Sequence, residues 1–237
     1  KALQEKLNIP IMHDDQHGTA MVVLAGLYNA LKVTKKKIDD ISVCILGAGS
    51  AGIAITKLLL KAGAKDIKVV DSKGVISKVR TDLNEYKREL AEITNFKNIS
   101  GDKKEAFKSC DVFIGVSGAN LLSGEDIKLM NKNPIIFALA NPIPEIMPEI
   151  AKKAGAGIIA TGRSDFPNQI NNAIIFPGFF KGLLLKPETK INQELMIKVA
   201  KAVAGLIKKP TIENIIPSIF DKRLVPTIAK VVKNFKN

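Results

Sequence analysis

The apolar run Ser42–Leu46, followed at once by Gly47-Ala48-Gly49-Ser50-Ala51-Gly52 and the amphipathic stretch Ala51–Ala62, constrains this chain more than any other segment. It reads as strand, tight glycine turn and helix, with glycines at the G-x-G-x-x-G spacing. In such a unit Gly47 permits the turn, Gly49 lets backbone approach a pyrophosphate, and Gly52 lets helix and strand pack closely. The helix start then offers unpaired N–H groups and the positive end of its dipole to phosphate oxygens. Asp71 closes the next apolar run, roughly 20 residues past the last glycine, where a carboxylate accepts hydrogen bonds from ribose hydroxyls and repels a 2′-phosphate. That favours NAD, while Ser72-Lys73-Gly74 just beyond it leaves NADP open.

The rest of the chain continues the alternation. Strands are predicted at Ser42–Leu46, Ile67–Asp71, Asp111–Val116, Ile135–Leu139 and Gly157–Ala160. Helices are predicted at Ala51–Ala62, Leu83–Ile93, Gly124–Met130 and Pro144–Lys153. Apolar strands joined by helical crossovers specify an α/β fold, a Rossmann-like doubly wound parallel sheet with flanking helices. Before it, Thr19–Lys32 is a helix apolar around most of its surface; after it, helices are expected at Gly178–Leu185, Ile191–Ile207 and Pro226–Val232. The expected organisation is a helical segment 1–32, a dinucleotide-binding domain 33–185, and C-terminal helices 186–237 packed on it.

Composition narrows the partners. The formal net charge is +13, yet only four of the 36 cations are Arg and there is no Trp. Nucleic-acid surfaces use Arg for bidentate contacts and aromatics for stacking, so this dispersed lysine excess argues against them. The longest apolar runs fall short of the ~18 residues that span a bilayer, so no membrane segment is expected. Cys44 and Cys110 each sit in an apolar run and read as buried thiols, fitting a reducing, cytoplasmic setting.

Two further groups carry chemistry. His13-Asp14-Asp15-Gln16-His17-Gly18-Thr19 holds two acids and two imidazoles in seven residues. The carboxylates either ligate a hard cation such as Mg²⁺ or Mn²⁺ and handle a proton, or cap the helix that follows, as Thr19 also could. A zinc helix is disfavoured, because no Glu adjoins His13 and Gly18 interrupts the spacing. The other group follows strands and so stands at the carboxyl edge of the sheet, where ligands of open α/β folds bind. It comprises Val116-Ser117-Gly118-Ala119-Asn120, Ala140-Asn141-Pro142 and the run from Thr161 to Asn172; its Asn amides offer both donor and acceptor.

Taken together these motifs resemble the malic enzyme family. The likeness rests on IPIMHDDQHGTA at 9–20, LGAGSAG at 46–52, GVSGAN at 115–120, FALANP at 137–142 and TGRSDFPNQINNAIIFPG at 161–178. Phe166 departs from it, standing where bacterial members often have Tyr. The resemblance implies oxidative decarboxylation of L-malate to pyruvate and CO₂ with NAD or NADP and Mg²⁺ or Mn²⁺. By motif, Asp15 resembles a metal ligand and Asp14 the neighbouring acid that supports proton transfer. Gly47, Ala48, Gly49, Ser50, Ala51 and Gly52 resemble the pyrophosphate loop, Asp71 the ribose contact, and Ser117 and Gly118 further cofactor contacts. Asn141 and Asn172 resemble the amides that hold the substrate carboxylate and the nicotinamide end.

The family's general acid Tyr, general base Lys and Glu-Asp pair of metal ligands belong to a preceding domain, and neither Tyr28 nor Tyr86 lies in a matching motif. The resemblance therefore implies that this chain supplies the cofactor-binding half of an enzyme that forms homodimers or larger homo-oligomers. Two other readings stay open on the residues: a free-standing dinucleotide-binding module, or another NAD(P)-linked dehydrogenase such as one acting on amino acids. The second leaves HDDQHGT and NNAIIFPG without a role.

Overall fold

The computed structural model describes residues 6, 7 and 9–236, so the parts of the expected segments at 1–5, 8 and 237 lie outside the described residues. A wide helical turn, Asp14–Gly18, runs straight into α1 (Thr19–Thr34). Then follow β1 (Ser42–Leu46), α2 (Ser50–Ala62), β2 (Asp66–Asp71), β3 (Gly74–Val75), α3 (Glu85–Ile93), α4 (Lys103–Phe107), β4 (Val112–Gly115) and α5 (Gly124–Lys128). The chain continues with β5 (Ile135–Ala138), α6 (Pro148–Lys153), β6 (Ile158–Thr161), a short tight turn at Asn172–Ile174, α7 (Phe176–Leu185), α8 (Gln193–Ala204) and α9 (Leu224–Lys233).

Among the described residues the strands form one sheet in the order β3-β2-β1-β4-β5-β6. All pairings are parallel except β2 with β3. This is the expected doubly wound fold, with the order reversing between β1 and β4, so the loops after these two strands part and leave a crevice. The predicted strands are present to within a residue or two. The sheet is not wholly parallel, because Ser72 and Lys73 turn the chain back into β3, where Gly74 has φ 117°. Predicted α6 starts four residues late: Pro144–Met147 is not helical, and its backbone is instead drawn toward the β4 loop.

Both sheet faces are covered, which is why the strands read as apolar throughout. On one face α1, α2 and α7–α9 bury Leu24, Leu27, Ile55, Leu59 and Phe179 against the strands. On the other, Phe107, Phe113, Ile136 and Ile146 pack with α4–α6. Buried Asn29 ties α1 to the C-terminal helices, its amide donating to the carbonyls of Ala204 and Ile215, both at 2.9 Å. α7 and α9 cross closely because Gly178 and Gly182 face Ile228 and Val232 with no room for a Cβ. Cys44 and Cys110 are buried free thiols, and burial pushes the Cys110 thiol up to about 12. No described helix is long and apolar enough to cross a membrane.

Candidate functional site

The glycine turn is built as its spacing requires. Gly47 has φ 120°, where an L side chain is strained, and a Cβ there would press on the Val116 carbonyl at 2.8 Å. A Cβ on Gly52 would overlap the Gly47 carbonyl oxygen. Gly49 differs, because a Cβ on it would meet nothing within 4 Å, so its free side opens on the surface of the crevice. Gly49 also heads α2 without any side-chain cap, whereas Asn84, Ser123 and Asn192 cap α3, α5 and α8. The first N–H groups of α2 therefore remain available to an anion.

A cleft of about 430 Å³ opens at the carboxyl edge beside this turn, lined among others by Asp15, Ala51, Ser117, Gly118, Asn141 and Asn172. Six of the residues singled out in the sequence, drawn from five separate stretches, thus meet on one surface. Ala48, Gly49 and Ser50 lie on the adjoining groove with Gln16 and His17. Gln16 donates to the Ser50 hydroxyl at 2.6 Å within that groove, and their chain neighbours Asp15 and Ala51 line the cleft. Asn141 precedes a cis peptide bond to Pro142, whose carbonyl accepts from Arg163 at 3.1 Å.

The acidic segment is not a cap. His13 precedes the wide turn, and no side chain caps the turn or α1. The turn is wide because the Thr19 N–H donates back to the Asp14 carbonyl, five residues earlier, a geometry that often re-aims side chains at functional sites. It also lets the Nδ1 of His17 accept from the His13 N–H at 2.9 Å, where burial lowers the ring's pKa. Asp14 turns inward. Its Oδ2 accepts from the Asn172 amide at 2.7 Å, while its Oδ1 is buried with no hydrogen-bond partner, overlying the place a Gly18 Cβ would take. Burial, and secondarily the Asp15 charge, raise the Asp14 carboxyl above the usual range, against the pull of Asn172 and His13. An orphaned buried carboxylate oxygen is costly and rare, and it fits a site that receives a cation or proton. Among the described residues, however, no group of three His, Cys, Asp or Glu side chains could enclose a metal.

Asp71 stands where the sequence puts it but does not have free lone pairs. Its carboxylate accepts from the Lys73 N–H at 2.9 Å, from Arg80 at 2.8 and 3.3 Å, and from Lys87 at 2.6 Å. Burial works to raise its pKa, yet the hydrogen bonds of Arg80, Lys87 and Lys73 and the Arg80 charge outweigh that and hold it at about 2. A ribose hydroxyl would have to displace one of these donors, so the simple acceptor role expected of Asp71 meets a competitor. Arg80 and Lys73 also pair with Asp82, which leaves three cations to two carboxylates at this corner.

One site residue carries no sequence signal. Glu145 is fully buried, and its two carboxylate oxygens accept from the backbone of Ser117 and Ala140, each at 3.1 Å. Burial raises its carboxyl above the usual range despite those two amides.

Comparison with known proteins places the chain. The family described as "Malic enzyme, NAD binding domain" matches residues 16–234. The chain belongs to that family. It is 50% identical over 233 residues to the bifunctional malic/malolactic enzyme of Bacillus subtilis, an alignment covering 97% of this chain and 57% of that protein. To the NADP-dependent malic enzyme of Halomonas elongata it is 41% identical over 225 residues, covering 94% of this chain and 52% of the relative. The crystal structure of an NAD-dependent malic enzyme from Thermotoga maritima superposes with a TM-score of 0.93 at 47% identity, over 98% of this chain and 62% of that one. The chain thus spans a little over half the length of these relatives.

Proposed function

We propose that this chain is the cofactor-binding half of an NAD(P)-dependent malic enzyme, which oxidatively decarboxylates L-malate to pyruvate and CO₂ with a divalent metal. The observation that carries the reading is the Asp14–Asn172 hydrogen bond. It joins the acidic turn to the Asn-rich loop across 158 residues, and Asn172 and the neighbouring Asp15 line the same cleft as Ala51, Ser117 and Asn141. The α2 N-terminus and the Gly47–Gly52 turn receive the pyrophosphate; Ser117, Gly118 and Asn141 border the dinucleotide's nicotinamide half; Asn141 and Asn172 hold the substrate carboxylate. Asp15 faces the cleft and would be one ligand of Mg²⁺ or Mn²⁺, the others coming from outside this chain. When bound, that metal supplies Lewis-acid polarisation of the substrate's C2 oxygen. Asp14, oriented by Asn172, is the acid that assists proton transfer beside the reacting end.

At the far end, the excess of cations around Asp71 accommodates either the 2′-hydroxyl of NAD or the 2′-phosphate of NADP. Residues 33–185 are the dinucleotide-binding domain in this proposal, with 1–32 leading in from the other half and 186–237 as a covering layer. The assembled enzyme is a cytoplasmic homodimer or higher homo-oligomer. The test is malate-dependent reduction of NAD⁺ with Mn²⁺ present, followed by absorbance. The 237 residues alone are expected to give none, and turnover by them would overturn the assignment of half the site to residues outside this chain.

A further inference from the structure

Glu145 is an unusual use of charge. It is completely buried, no ion pair with it occurs among the described residues, and its carboxylate spans two separate loops rather than meeting a cation. Leaving a carboxylate in such a place is costly unless its oxygens are occupied by donors that need it. The donors here are the N–H of Ser117, in the loop after β4, and the N–H of Ala140, in the loop after β5. The backbone repeats the connection. The Leu122 N–H donates to the Glu145 carbonyl at 2.9 Å, and the Asn120 N–H to the Pro144 carbonyl at 3.1 Å. Gly115, the last residue of β4, completes the nest, because a Cβ on it would overlap the Glu145 carboxyl group. The two residues that follow the bonded amides, Gly118 and Asn141, both line the cleft.

We propose that Glu145 is a positioning residue, whose carboxylate clamps the β4 and β5 loops at one fixed separation and so sets the place of Ser117, Gly118 and Asn141 around the bound nicotinamide half of the dinucleotide. The chemistry explains the residue type. Two amide N–H groups on different loops need two acceptors on one rigid plane, and among side chains of this length only a carboxylate supplies them. Glutamine keeps one acceptor and turns an NH₂ group against the second N–H, leaving a buried donor without a partner. This inference rests on the proposed placement of the dinucleotide.

The test is NADH affinity, read from nicotinamide fluorescence, for the wild type, Glu145→Gln, Asn141→Ala and the double variant, with denaturant unfolding confirming that each is folded under assay conditions. Glu145→Gln is expected to weaken NADH binding about tenfold, the effect of losing one charged hydrogen bond that orders the site. Asn141→Ala is expected to cost much less affinity in the Glu145→Gln background than in the wild type, because the loop it sits on is already displaced. A purely structural Glu145 would lower stability, leave the affinity of the folded protein unchanged and give additive effects; that outcome overturns the proposal. If Glu145→Gln does not fold, Glu145→Asp takes its place, since it keeps the charge but is one methylene too short to reach both amides. A wild-type protein that binds no NADH overturns the dinucleotide reading and this inference with it. A wild type that binds, beside variants that bind equally well, overturns this inference alone.

Discussion

Asp71 and Asp14 are acids on opposite sides of the switch point between β1 and β4, and their surroundings are opposed. Asp71 has every lone pair filled by Arg80, Lys87 and the Lys73 N–H, and its carboxyl is held at about 2. Asp14 has one oxygen satisfied by Asn172 and the other buried with nothing, and its carboxyl is pushed upward. Desolvation acts on both; what differs is the supply of donors. Asp71, which the proposed function sets at the adenosine end, has its own hydrogen bonds complete without a ligand, and with Arg80 and Lys87 it forms an ion-pair clamp. Asp14, which the proposed function sets at the reacting end, keeps a polar deficit that a bound cation or proton would remove.

The largest effect that would sharpen this contrast lies in the glycine turn between the two regions. Gly52→Ala forces a methyl onto the Gly47 carbonyl, and should cost upwards of about 3 kcal/mol in denaturant unfolding. Gly49→Ala, three residues earlier, places its methyl in open space and should change stability by less than about 0.5 kcal/mol. In the proposed function the same methyl would intrude on the pyrophosphate, so NADH binding should weaken by about tenfold or more. Equal stability losses in the two variants would remove the distinction between a packing glycine and a ligand glycine.

A smaller effect probes the clamp. Arg80→Ala should weaken NADPH binding about tenfold while changing NADH less, since it withdraws a cation from the 2′ corner and frees Asp71 to accept a hydroxyl. Equal losses for both cofactors would mean that Arg80 does not read the 2′ position.

The smallest effect is a pH slope. The Asp71 carboxyl is depressed, so its contribution is fully present above the unfolded value near 3.8 and is lost as pH falls through about 2. In the wild type this should amount to about 1 kcal/mol, discounted for solvent screening, between pH 4 and pH 2. The slope should flatten in Arg80→Ala, and urea midpoints measured across that range check it.

How far the molecule could be read from its sequence follows the same division. The parallel strands were legible because both their faces are buried, and the glycine turn because its conformational needs are written in residue type. β3 escaped notice, since two residues after a turn carry no periodicity, and α4 is short, polar and marked only by its Asp102 cap. The position of Asp71 was legible; its partners were not, because Arg80 and Lys87 come from the loop and helix beyond, and only the fold brings them to it. For the acidic turn, the residues alone left capping and ligation open, and the inward rotation of Asp14 removed capping. Glu145 was hidden most completely. Pro144-Glu145 looks like the first turn of an exposed helix, where an acid is ordinary, and only the non-helical path of Pro144–Met147 carries that acid into the interior.

In the proposed function, loops from distant parts of the chain close one dinucleotide cleft at the carboxyl edge of the sheet. Titration of the protein with NADH, followed by nicotinamide fluorescence and then by competition with NAD⁺, tests it most directly. Saturable binding at one site per chain, displaced by NAD⁺ and weakened by Gly49→Ala, is the expected result. Absence of saturable binding up to millimolar NADH by the folded protein, or binding indifferent to Gly49→Ala, would contradict it.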